Sequence, residues 1–153
     1  MAAFIFSEAA GKWARYGMLP ETNDAMIWVL LVSSGLEADS TLRDYDTLSA
    51  ILAASNDEAT FTGYSRQTAV GVTITDDDAN NAQDGDVTTD PSWSPTTAQA
   101  LGKILLCYDP DTTGGDDTSI IPIFADDFVL TTPTSGTITY QVNASGFATA
   151  VAS

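Results

Sequence analysis

The sequence predicts an all-β domain, an antiparallel β-sandwich or flattened barrel of about seven or eight short strands with one short helix. Three observations point there. Apolar runs stop at strand length, apolar and polar residues alternate with a period of two through much of the chain, and Gly, Pro, Asn and Asp cluster between the runs.

Ala25-Met26-Ile27-Trp28-Val29-Leu30-Leu31-Val32 is β-branched and aromatic and is closed by Ser33-Ser34-Gly35, so it reads as a strand buried on both faces, at the centre of the sheet. Asp39 to Leu42 and Asp46 to Ala54 then set Leu48, Ile51 and Leu52 at helical spacing, with Asp46 as the N-cap of one short surface helix. From Glu58 the period turns to two: Ala59, Phe61 and Gly63 alternate with Thr60 and Thr62, and Ala69 to Thr75 continues as an alternating strand. Asp76 to Asp86 is polar and acidic, with Asn-Asn and Asp-Gly pairs, and reads as a long hairpin tip or loop. Val87 to Thr89 makes a short edge strand stopped by Pro91 and Pro95, with Trp93 between them as an aromatic plug against the core. Leu101 to Tyr108 is a second buried strand, Asp109 to Asp117 a hairpin loop, and Ile120 to Phe124, Phe128 to Thr131 and Thr137 to Val142 three more short strands. Residues 1–24 form an N-terminal arm or contact segment ahead of a single β domain over 25–153, with no internal repeat and no Pro- or Gly-rich linker.

Lys and Arg number 5 against 21 Asp and Glu, a formal charge of −16, on a chain of 153 residues that is 44% apolar. Such a balance suits a globular domain and argues against duplex DNA or an anionic membrane as a direct partner, because both are bound through cationic side chains. The absence of histidine removes the commonest general base, the Ser-His and Cys-His pairs and the usual zinc ligand. The single Cys107 lies in the run Ile104 to Tyr108 and reads as a buried small hydrophobe. The longest apolar run, Ala25 to Val32, is far shorter than the roughly 18 residues a membrane span needs.

Two acidic clusters have the residue types of a hard-cation site. Asp109-x-Asp111-x-Thr113-Gly114, with Asp117 at the ninth place, repeats the start of an EF-hand loop, but the twelfth place is Ile120 and a strand follows, so the pattern fails as an EF-hand and leaves only a Ca²⁺ site of another geometry. Asp76, Asp77 and Asp78 with Asp84 and Asp86 form the second cluster, in which consecutive acids point different ways. No cofactor is expected, and solvated loop tips are the favoured reading of both. Pairs such as Asp126-Asp127 or Glu58 are the residue types of a glycosidase, yet 21 acids on this length produce such pairs by accident. Lys12, Trp13, Arg15 and Tyr16 stand apart, because they join two aromatic rings to two of the five cations. They are the candidate partner-contact residues.

Several stretches taken in order resemble a group of small structural proteins from the head and tail genes of tailed bacteriophages. These are Leu42-Arg43-Asp44, Ser49-Ala50-Ile51, Glu58-Ala59, Gly63 to Thr68, Trp93, the Tyr108-Asp109 loop into Ile121-Pro122-Ile123, Asp127-Phe128 and Ala144 to Phe147. The resemblance covers about Ile27 to Ala148 and implies a β-rich virion component without catalytic residues. Charge then favours the outer capsid surface over the DNA-facing interior. The expectation is a non-enzymatic decoration or cement protein, made in the host cytoplasm. It binds the major capsid protein lattice or copies of itself as a homo-oligomer, and it contacts neither nucleic acid nor membrane. A tail or head-to-tail subunit is the alternative within the virion, and a Ca²⁺-dependent or carbohydrate-binding β-module the alternative outside it.

Overall fold

A computed structural model describes residues 3–144 and 146–151. Its elements in chain order are β1 (Phe4–Ile5), α1 (Trp13–Gly17), β2 (Ala25–Val32), α2 (Asp39–Leu42), α3 (Leu48–Ala53), β3 (Gln67–Thr68), β4 (Val72–Asp77), β5 (Ala82–Val87), β6 (Ser92–Trp93), β7 (Ala100–Asp109), β8 (Ile121–Thr131), β9 (Ile138–Thr139) and β10 (Ala148–Val151). The chain is mainly β and, among the described residues, every pairing between the named strands is antiparallel, as the patterning predicts. The strands form a five-stranded sheet in the order β1-β8-β7-β2-β3, a three-stranded sheet β10-β5-β4 and a β6-β9 ribbon. The five-stranded sheet ends on β1 and β3 and does not close into a barrel.

Position in the sheet explains which runs are uniformly buried. β2 is buried at all eight positions and β7 from Leu101 to Tyr108: β7 is paired with β2 on one side and β8 on the other, and β2 with β7 along its length and with β3 at Ile27 and Trp28. β7, not β2, is the central strand. β7 has two strands on each side, whereas only the two-residue β3 lies beyond β2, and β8 is one strand of 11 residues where two were expected. Asp126 and Asp127 look like a turn, but each has a partner that keeps it extended. Asp126 accepts the Tyr140 hydroxyl at 2.7 Å, Asp127 accepts Lys103 Nζ at 2.6 Å, and the ladder absorbs the mismatch as a register shift between Leu101 and Lys103.

The acidic stretch 76–86 is also more regular than its composition implies. β4 and β5 pair from Val72↔Val87 to Asp77↔Ala82, leaving only residues 78–81 as the turn, with Asn81 at φ 50°. The buried positions of β5 are Ala82, Gly85 and Val87, two of them too small to register as an apolar stripe. Gly85 is small for a reason: a Cβ there would stand 2.7 Å from both Phe147 Cζ and Trp13 Cζ3. Gly146 follows the same logic, at φ 80° and against the Gly85 carbonyl, which accepts the Phe147 N–H at 2.8 Å.

Among the described residues three short helices replace the one expected. α3 is capped by Thr47, whose side chain accepts the Ala50 N–H at 3.2 Å, and not by Asp46, because it is Thr47 that adopts the extended conformation an N-cap requires. Leu48 and Ile51 are fully buried, so α3 is a core element and not a surface one. Trp93 is the plug its prolines suggested: it is buried, its Nε1–H donates to the Ser65 carbonyl at 2.8 Å, and Tyr64 stacks 6.4 Å away.

Gly85→Ala is expected to cost about 2 kcal/mol in urea denaturation, since neither Phe147 nor Trp13 can retreat from the core. Gly114→Ala, whose new methyl would meet only Asp111 Oδ2 at 3.5 Å, is expected to stay within about 0.5 kcal/mol of the parent.

Candidate functional site

The N-terminal segment is part of the core. Phe4 and Ile5 pair with Ala125 and Phe124 of β8, while Phe6, Ala9 and Trp13 join the same buried cluster as β2 and β7. α1 is a single turn whose inner face carries Trp13 and Gly17, four residues apart, and whose outer face carries Lys12 and Arg15. Trp13 is 5% exposed and meets Phe147 edge-on at 6.0 Å, so of the four expected contact residues it is the one that cannot reach a partner. Tyr16 is half-buried and stacks on Tyr108 at 4.8 Å, and the Tyr108 hydroxyl donates to Asp24 at 2.7 Å. Lys12 pairs with Glu8 at 2.6 Å on the exposed side. Of the segment expected as an arm or contact segment, the described residues Phe4 to Trp13 pack into the domain. The exposed end of α1 adds two residues that the sequence reading passed over: Met18 is 73% exposed, and Leu19, ahead of Pro20, sits at φ 51°. The only hint of them was an apolar pair at the Gly17 to Pro20 turn.

The second constellation surrounds Arg66. Its guanidinium grips Glu58 through Nε (2.8 Å) and Nη2 (2.6 Å), and Asp117 through Nη1 (2.6 Å) and Nη2 (2.9 Å). Tyr64 completes the network, accepting the Leu30 N–H at 3.2 Å and donating to Glu58 at 2.7 Å. Glu58 bridges to Leu31 of β2, so a single arginine ties the 58–66 segment and the β7–β8 loop to the large sheet. Burial first, and then the charge of Glu58, push the Tyr64 hydroxyl well above its ordinary pKa, and it stays a donor. The Arg66 hydrogen bonds hold the Asp117 carboxyl below the usual aspartate range.

Arg66 also walls an open cavity of about 180 Å³ with Asp109, Asp111, Asp116 and Asp117. The three carboxylates considered for Ca²⁺ are turned to other partners. Asp109 accepts the Asp111 N–H at 3.1 Å, Asp111 accepts the Thr113 N–H at 3.0 Å and hydroxyl at 2.6 Å, and Asp117 faces the arginine. The β4–β5 acids behave alike: Asp77 accepts from Ala79 and Asn80, and Asp76 from Gln83. Among the described residues no group of three or more Cys, Asp or Glu is placed to hold a metal ion. Cys107 is fully buried in β7, where burial raises its thiol pKa far above that of a reactive cysteine.

The third constellation is Lys103, whose side chain is fully buried in the central strand. Its Nζ lies 2.6 Å from Asp127 Oδ1, 2.9 Å from Asp39 Oδ1 and 5.5 Å from the centroid of the Phe4 ring. Asp39 Oδ1 is within ion-pair distance yet is not aligned to accept a hydrogen bond. Compared with known protein families, curated proteins and solved structures, the chain matches none of them. Its geometry and chemistry carry the functional argument.

Trp13→Ala is expected to destabilise the fold by about 3 kcal/mol, a core-sized loss readable in urea denaturation. The Asp117 carboxyl gives a pH signature. Its pKa is lowered in the folded state, so the unfolded chain binds the extra proton in acid; the contribution is complete above the unfolded value of about 4 and is lost as pH falls through the folded one. Asp117→Asn should be less stable than the parent at neutral pH, and the gap should close in acid. A gap independent of pH would contradict the assignment.

Proposed function

We propose that the protein is a non-enzymatic structural component of a bacteriophage virion, a decoration protein bound to the outer surface of the head. The observation that carries this reading is where the charge sits. Lys12, Arg66 and Lys103 are paired within the chain to Glu8, Glu58, Asp117, Asp39 and Asp127. Arg43 donates from Nε to the Asp39 carbonyl at 3.2 Å and lies over Phe4. The other sixteen acids have no lysine or arginine ion pair among the described residues, and none is buried. Packaged DNA repels a surface of that kind, whereas solvent on the outside of a shell accommodates it.

Attachment falls to the few places where the acidic coat is interrupted. The exposed end of α1 brings Arg15, Met18 and Leu19 together, and α1 packs on β4, an edge strand preceded by the exposed Val70. A cationic and apolar patch in an otherwise acidic surface suits the capsid lattice as partner. Lys12 and Tyr16 flank it, and Trp13 supports it from beneath. Among the described residues no helix is long and apolar enough to cross a membrane.

Binding to heads that lack the protein, followed by co-sedimentation, tests the reading. The parent is expected to sediment with heads and not with isolated tails. The double variant Arg15→Glu, Met18→Asp is expected to lose about 2 kcal/mol of binding with its melting temperature little changed, as both side chains point to solvent. Sedimentation with tails alone, or binding indifferent to the double variant, would overturn the assignment of place or of patch respectively.

A further inference from the structure

We propose that Lys103 and Asp127 are the partners of an intramolecular isopeptide bond between β7 and β8, with Asp39 as the group that carries a proton during its formation. The inference is independent of the virion role and rests on the juxtaposition of three side chains. The backbone ladder sets Lys103 opposite Asp127 as Cα partners, and amine nitrogen and carboxylate oxygen stand 2.6 Å apart. The lysine side chain has no exposure to water, and Asp127 and Asp39 keep 25% and 15%. The Phe4 ring covers the ammonium from another side. Proton transfer from the ammonium to a carboxylate within the triad yields the neutral amine, which is the nucleophilic form of lysine.

The step balances without any co-reactant. An ammonium proton passes along the short hydrogen bond to Asp127, converting its carboxylate to the carboxylic acid. The freed amine nitrogen attacks Cγ of Asp127 to give a tetrahedral intermediate. Asp39 takes a second proton from that nitrogen and delivers it to the departing hydroxyl, so water leaves and Asp39 returns to its carboxylate form. Of the three ammonium protons, two end in the water and one stays on the amide nitrogen. One positive and one negative charge vanish together. The reaction is slow between free amines and carboxylates, but groups fixed in contact react at effective molarities on the order of 10⁵ M or higher.

Two features of the site fit this chemistry better than that of an ion pair kept for stability. A buried pair of this type is worth little more than apolar side chains of similar volume, so two carboxylates on one buried lysine are not accounted for by stability. In addition, Asp39 Oδ1 approaches Nζ to 2.9 Å without hydrogen-bond alignment, which leaves it beside the nitrogen and not locked to it. The bond would fasten the central strand to its neighbour at the point where the ladder slips register.

The test is the intact mass of the purified, denatured full-length protein, followed by peptide mapping. The expected mass is lighter than that of the linear sequence by one water, with a branched peptide joining the Lys103 and Asp127 segments, resistant to hydroxylamine. Lys103→Arg and Asp39→Asn are expected to show the linear mass. Should either variant fail to fold, the parent's mass and map decide alone. A parent at the linear mass would overturn the proposal. So would a water loss that maps to Asp84-Gly85 and is cleaved by hydroxylamine, since that marks a succinimide.

Discussion

With five cations to set against 21 acids, this chain can neutralise few of its carboxylates, and where it does so determines much of the structure. Two cations are drawn inward. Lys103 joins β7, β8 and α2 through Asp127 and Asp39, and Arg66 joins the 58–66 segment to the β7–β8 loop through Glu58 and Asp117. Each stands where irregular chain meets the large sheet, and removing one partner from such a pair leaves a charge with too little water around it. The remaining acids are left exposed or half-exposed, and at the loop tips Asp77, Asp109, Asp111 and Asp116 accept backbone N–H groups of their own loops.

Around these fastenings the ladder of β2, β7 and β8 supplies 18 of the 35 buried apolar residues among those described, and the rest of the chain is organised by how it reaches that ladder. The N-terminal segment arrives by pairing β1 with β8 and by placing Trp13 between β5 and Phe147. The small sheet is therefore coupled to the large one through aromatic contacts: Phe147 touches Trp13 on one side and Phe124 of β8 on the other. This coupling explains why a glycine is required at position 85 and why the described N-terminal residues from Phe4 to Trp13 do not stand apart from the domain.

The sequence made the long apolar strands legible because strand length and β-branched composition are local properties. Ala25 to Val32, Leu101 to Tyr108 and the Trp93 plug fall where their residues place them. What was hidden depends on distant partners. Asp126 and Asp127 read as a turn because nothing local shows that Tyr140 and Lys103 hold them extended. β5 read as a loop because Ala82 and Gly85 are buried without being strongly apolar. At the candidate contact surface Lys12, Arg15 and Tyr16 were visible as a cluster, but only the helical turn of α1 shows that Trp13 points inward and that Met18 takes the outer position. The acids of the Asp109 to Asp117 loop kept a metal-like spacing in sequence, yet Arg66 claims Asp117 from 51 residues earlier.

The proposed place on the outer shell follows from the same shortage of cations: a subunit in which four of the five positive groups are engaged within itself, leaving Arg15 at the exposed end of α1, has an exterior fit for solvent and poor for packaged DNA. The measurement that tests this most directly is a reconstruction of intact particles by electron cryomicroscopy, compared with particles that lack the protein. The account predicts difference density of the size of this domain on the outer face of the head, with the Arg15 to Leu19 end of α1 turned toward the lattice. Difference density on the inner face of the shell, against the packaged DNA, would contradict it.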